Sequence, residues 1–392
     1  MASLVGAAEW EVDTDFAMLS ATQDEVHDHE PMAFAGSFPG AVHLLCGAKY
    51  ATVRARAERW DARPPEAGPE WEDADELPWS TVAGAGPLRV AGFDPPEPDA
   101  PALDVEGLER ARVQVLAAGR YDGDGQTSPE PERWLLRLWP AGDGAPLDPL
   151  AGPPRRLAGP LPLAPPPLPA WAEALREWEL AGWGSLTEIE AFREIRDALL
   201  RAGRPTGVAD LAAAFGPLAP LQRERGGPYG WDSPALGHGW ATPPEQAFPD
   251  RVETLRAVAA AAGLAAVATF GDALEALERL GLVARGAGGG LVPNPAPPAS
   301  WDVLGLPAER AAAARVQSLR RRYQHLQGDV LRLLAWGPLR ATPRRIAVRL
   351  ALRPEDVVGA LRLVAATGDA TVAPDPDDLD TAVTVTPGRP LP

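Results

Sequence analysis

The 392-residue sequence contains one cysteine, Cys46. A single thiol excludes a disulfide framework and any cysteine-rich zinc site. Lysine is almost missing too, since Lys49 is the only lysine among 37 basic residues. With so much Ala, Pro, Gly and Arg, that bias reads as the codon composition of a GC-rich genome and not as a demand for guanidinium chemistry. No apolar run reaches about 18 residues, so no transmembrane helix is expected. The opening MASLVGAAEWEVDTD lacks the basic start and apolar core of a signal peptide, and the expectation is a cytoplasmic protein without membrane contact. G-x-S-x-G, a Walker-type phosphate loop and G-x-G-x-x-G are also missing, which removes the common local motifs of nucleophilic and nucleotide chemistry.

What is present points to packed domains. Hydrophobic residues make up 45% of the chain and tryptophan occurs 13 times, so wholesale disorder is excluded. The length calls for two or three domains. Charge divides them: residues 1–150 hold 28 acids and 11 bases, which accounts for the entire net charge of −17. The remainder is balanced.

Residues 1–35 read as an irregular acidic segment. From Ala41 the chain alternates, with Tyr50, Thr52, Arg54 and Arg56 opposed to Ala51, Val53, Ala55 and Ala57. Period two of this kind predicts strand. Further strands are expected at 71–81, 87–93, 110–121 and 132–140. Trp134 and Trp139 sit at odd spacing in the last of these, hence on opposite faces. The fold class expected for 36–140 is an antiparallel β-sandwich-like domain, acidic and rich in turns. Residues 141–169, AGDGAPLDPLAGPPRRLAGPLPLAPPPLP, read as a semi-rigid proline-rich linker.

After Trp171 the period becomes helical, and an α-rich region is expected. One domain is predicted over 170–300, with an inserted loop at 217–250, and another over 301–392. In the latter, ARVQSLRRRYQHLQGDVLRLLAWGP is a long helix. TPRRIAVRLAL is a short helix capped by Thr342 with Pro343 at its first position. RPEDVVGALRLVAAT is a third helix ended by Gly368, and 369–387 reads as strand, acidic turn, strand. This arrangement over 312–387 resembles the winged helix-turn-helix superfamily. A looser copy over 186–295 resembles it as well, with Leu282 to Arg285 and Leu291 to Pro293 flanking a glycine tip. The front half, ending in WLLRLWPA, resembles uncharacterised proteins of GC-rich bacteria, a resemblance that implies no activity.

The winged-helix resemblance implies nucleic-acid contact, and the charge pattern is mixed on that point. Twelve arginines lie between Arg310 and Arg362, opposed only by Asp329, Glu355 and Asp356. A local basic patch is the footprint of phosphate binding. The third helix, however, opens with Glu355 and Asp356, where base readout favours Arg, Asn, Gln or Lys, and Gly359 is read on its outer face. The candidate contacts to nucleic acid or a protein partner are therefore Arg320, Arg321, Arg322, Arg344, Arg345 and Arg349. Pairing of many of these with acids of the wing or the front domain is the favoured expectation.

Catalytic and metal constellations are weak. His27 and His29 among four acids read as solvated surface. The segment 121–133 begins like a calcium loop but has Thr127 and Arg133 where Gly and Glu are required. Cys46 reads as a small buried hydrophobe. His238, near Trp240 and Tyr229, reads as part of a self-packed loop. No enzyme activity, cofactor or metal is expected. The expected function is a non-enzymatic adaptor or regulatory protein whose partner is another protein. A DNA-binding regulator and an acidic inhibitor or immunity-like protein are the alternatives.

Overall fold

The computed structural model describes residues 2–14, 18–23, 34–92, 99–121, 131–142, 147–159, 164, 199, 201–210, 253–254, 257–258, 260–261, 270–281, 283–286, 288–294 and 306–388. The chain is mixed α and β, with several sheets and few described helices. It forms two compact units. The first joins residues 1–164 with 323–392, and the second is 165–322.

In the first unit, one sheet has five strands: β1 (Leu4–Thr14), β5 (Ala51–Trp60), β9 (Glu132–Pro140), β8 (Ala111–Ala118) and β6 (Asp73–Trp79), in that spatial order. A second sheet orders β3 (Ala35–Phe38), β4 (Ala41–Leu45), β2 (Met18–Thr22) and β7 (Arg89–Ala91). Alternation explains which face of the first sheet is buried. Val53, Ala55 and Ala57 of β5 point into the same core as Trp134, Leu136 and Leu138 of β9 and Val113 and Val115 of β8. Leu19, Val42, Leu44 and Val90 of the second sheet join that core. Phe34 stacks on Trp134 with ring centroids 5.2 Å apart.

Two expectations need correction here. Part of the segment 1–35 is strand and not irregular, because β1 runs for 11 residues with Ala8 and Trp10 buried and Glu9 and Glu11 exposed, and β2 covers Met18–Thr22. Its acids sit across from Arg56 and Arg54 of β5, so the charge that masked the alternation is the polar half of the pattern. The sheet is also not wholly antiparallel. β5 and β9 pair in parallel from Val53↔Glu132 to Arg59↔Leu138, a long-range pairing that strand periodicity does not encode.

The C-terminal part of the same unit begins within α2 (Ala308–Leu334), whose residues from Tyr323 onward belong to it. It continues through β12 (Leu339–Ala341), α3 (Pro343–Leu350), α4 (Pro354–Thr367), β13 (Ala370–Ala373) and β14 (Val383–Pro387). The three strands order β12-β14-β13. Thr342 accepts from the Arg345 N–H at 3.1 Å and Pro343 occupies the first turn, as the cap signal requires. Gly368 ends α4 at φ 76°, a left-handed value that glycine adopts without a Cβ penalty.

The structure also draws the domain division elsewhere than at 141–169. Residues 147–159, read as linker, lie within the first unit, and Arg155 is only 4% exposed. The Arg156 N–H donates to the Ala74 carbonyl at 2.8 Å and the Ala74 N–H returns the bond at 2.9 Å. The segment thus adds a bridge to the edge of β6.

In the second unit, α1 (Phe270–Arg279) leads into β10 (Val283–Arg285) and β11 (Leu291–Pro293), an antiparallel pair around a glycine turn. Leu277, Leu280 and Leu291 are fully buried there. The loop 217–250, with His238, Trp231 and Trp240, lies outside the described residues, as do His27 and His29.

Candidate functional site

The six candidate arginines differ in exposure. Arg349 is buried and cannot touch a partner, which removes it from the contact set. Its position on α3 directs it inward, where Nη1 donates to Asp75 Oδ1 at 2.5 Å and Nη2 donates to the Glu76 carbonyl. Arg344 is exposed and grips Asp380, between β13 and β14, with two bonds of 2.7 and 3.0 Å. Arg345, also exposed, meets Asp148 at 3.4 Å. Arg320, Arg321 and Arg322 are half-buried on α2. Arg353 and Arg362 likewise pair, with Asp356 and with Asp375 and Asp377.

The third helix is committed to the interior. Asp356, Val357, Val358, Gly359, Ala360, Leu361, Leu363 and Val364 of α4 are all buried. Gly359, read from the sequence as outward-facing, lies instead beneath the ring of Tyr323. A Cβ there would come within 2.2 Å of that ring. Asp356 is not a solvent-facing charge either: both its oxygens accept from Arg353, and the Ala164 N–H reaches it at 3.4 Å. Helices that read a major groove present one long face to it. The exposed residues of α4 are limited to Glu355, Arg362, Ala365 and Ala366.

Two buried ionic clusters hold the first unit together, and neither was legible in the sequence. In one, Arg155 donates Nε to Asp75 at 3.0 Å, Nη1 to Asp329 at 2.9 Å and Nη2 to the Ala35 carbonyl at 3.3 Å. Asp75 also accepts from Arg349, so two guanidinium groups balance two carboxylates, all with side chains at most 3% exposed. Burial works against the charge on Arg155, but Asp329 and Asp75 outweigh it and raise its pKa. Completely buried charges persist only when paired in this way.

In the other cluster, Asp73 accepts from Arg120 and from the Tyr121 hydroxyl, the latter at 2.9 Å. Glu132 accepts from the Gly47 N–H at 2.8 Å and the Trp134 indole N–H at 2.9 Å. Burial pushes the Glu132 carboxyl up to about 7, against the Gly47 N–H, Arg120 and Trp134. Cys46 is buried beside it, and its thiol is pushed well up by burial and then by Glu132. A thiol held protonated is a poor nucleophile. Among the described residues no group of three or more His, Cys, Asp and Glu side chains could hold a metal ion, and no helix is long and apolar enough to cross a membrane.

One outward-facing feature among the described residues is the edge of the larger sheet. β1 is terminal in the strand order, and Leu4 and Val5 on it are 46% and 55% exposed.

No family model matches the chain, and no curated protein matches it. A solved structure described as "Crocagin biosynthetic gene J" is similar at 14% identity and a TM-score of 0.25, covering 35% of this chain and 98% of that one.

Proposed function

We propose that the chain is a non-enzymatic adaptor or regulatory protein that acts through protein-interaction surfaces. The observation that carries this reading is the inward commitment of its C-terminal elements. Arg349 and eight of the fourteen residues of α4 are buried, while Arg344 and Arg345 are paired with acids of the same unit. Paired guanidinium groups offer less to phosphates, because binding must first displace their carboxylates. The element order from α2 to β14 supports the winged-helix reading of 312–387, used here as a structural module. The two sheets with one core support the sandwich-like reading of the front half. Edge strand β1, with Leu4 and Val5 exposed, suits a protein partner, since a strand edge is a template for main-chain pairing.

DNA binding is the weaker reading for the reasons just given. An acidic inhibitor is weaker too: Glu9 and Glu11 of β1 are met by Arg56 and Arg54, which dilutes the acidic face. The test is affinity capture with the full chain as bait, with and without nuclease. A protein partner that survives nuclease and is lost with Val5→Asp supports the proposal. Recovery that nuclease abolishes, or that Arg344→Ala with Arg345→Ala removes while Val5→Asp does not, overturns it.

A further inference from the structure

The two edges of the five-stranded sheet are finished differently. At one edge β6 carries Pro78, and Ala74 exchanges backbone hydrogen bonds of 2.8 and 2.9 Å with Arg156. Proline and a covering segment both close a strand edge. At the other edge β1 contains neither proline nor lysine. Among the described residues, 6–11 make no backbone hydrogen bond on the side away from β5. The open run has limits. At one end a Cβ on Gly92 would come within 2.5 Å of the Asp13 carbonyl oxygen. At the other end the register to β5 shifts at Val5.

The side chains of this run select a partner. Glu9 and Glu11 stand at alternate positions on the outer face, with side chains 67% and 64% exposed. Each commits one oxygen to β5: Glu9 Oε1 meets Arg56, and Glu11 Oε2 meets Arg54 at 3.5 Å. Glu9 Oε2 and Glu11 Oε1 have no partner among the described residues, and an ionised carboxylate accepts at both oxygens. β5 is already one complement to β1, running antiparallel with Arg54 across from Glu11, Arg56 from Glu9 and Trp60 from Leu4. A second copy of β1 is not such a complement. Antiparallel self-pairing centred anywhere from Glu9 to Glu11 sets acid against acid, which is destabilising. Centred on Ala8, it sets the acids against Ala7 and Val5.

We propose that the free edge of β1 takes up an extended segment of another protein as an antiparallel sixth strand. The segment carries Arg or Lys at two alternate positions, opposite Glu11 and Glu9, and an apolar residue beyond them against the exposed Leu4 and Val5. Main-chain pairing supplies the affinity, and the two cation–carboxylate pairs supply the choice of sequence. The proposal rests on the adaptor reading and names the chemistry of its partner.

The probe is a fluorescein-labelled peptide with the sequence of β5, ATVRARAERW. It is titrated into the full chain and followed by anisotropy, with hydrogen–deuterium exchange to map the contact. The expected result is saturable binding that slows exchange in β1 and not in β6. A peptide carrying Arg54→Gln and Arg56→Gln binds about three- to tenfold more weakly, the worth of two cross-strand ion pairs. The full chain with Glu9→Gln and Glu11→Gln no longer distinguishes the two peptides. Equal affinity of the two peptides for the wild type, protection outside β1 or absence of saturable binding overturns the proposal, whether or not the double variant folds. A homodimer of the free chain whose β1 amides are already protected overturns it too. A captured partner that is lost with Val5→Asp, beside equal affinity of the two peptides, removes this chemistry and leaves the adaptor reading standing.

Discussion

Replacing Arg155 by Met gives the sharpest test of how the first unit is held. A linker arginine at that position would change stability by no more than about 0.5 kcal/mol. The structure instead buries Arg155 between Asp75 and Asp329, residues 80 and 174 positions away in the chain. Methionine keeps most of the stem volume and removes the guanidinium. The loss should be about 3–5 kcal/mol, the range for leaving a buried charge uncompensated. Arg155→Lys should fall between, because one ammonium cannot serve Asp75, Asp329 and the Ala35 carbonyl together. A double-mutant cycle with Asp329→Asn should give a coupling on the order of 1–3 kcal/mol. The assay is urea unfolding followed by tryptophan fluorescence and near-UV circular dichroism, with limited proteolysis of residues 141–159 alongside. A loss below about 1 kcal/mol for Arg155→Met, with zero coupling to Asp329, would refute the reasoning and restore the linker.

Three further outcomes are expected. The Glu132 carboxyl binds its proton more tightly folded, with a pKa of about 7 against an ordinary 4.5, so its contribution is full below the unfolded value and is lost as pH rises towards 7; about 3 kcal/mol is at stake. Glu132→Gln should flatten the urea midpoint across that window, and an unchanged slope would count against the assignment. Trp134→Ala should cost about 3–5 kcal/mol, since the ring is 1% exposed and stacked on Phe34; a loss under about 1 kcal/mol in thermal or urea unfolding would deny it a core role. Gly359→Leu should destabilise by at least about 1–3 kcal/mol through collision with the Tyr323 ring, and Tyr323→Ala should partly rescue it in the same assay.

Local elements, whose signals lie within a few residues, were legible before the fold was known. Alternation around Val53, Ala55 and Ala57 placed β5, and similar patterns placed β6, β8 and β9. Thr342 with Pro343 started α3 and Gly368 stopped α4, because capping chemistry is local. The candidate arginines were legible as a charge cluster, but which acid each meets, as Arg344 meets Asp380, was not.

How those elements pack and pair became visible in the folded chain. β1 became visible as a strand once Glu9 and Glu11 had Arg56 and Arg54 across from them. The parallel join of β5 to β9, the burial of Arg349 and Arg155, and the closing of Tyr323 over Gly359 all depend on groups far apart in the chain. An arginine reads alike in sequence whether it faces solvent or a buried carboxylate. The difference is desolvation and partner geometry, and these exist only after the chain has folded.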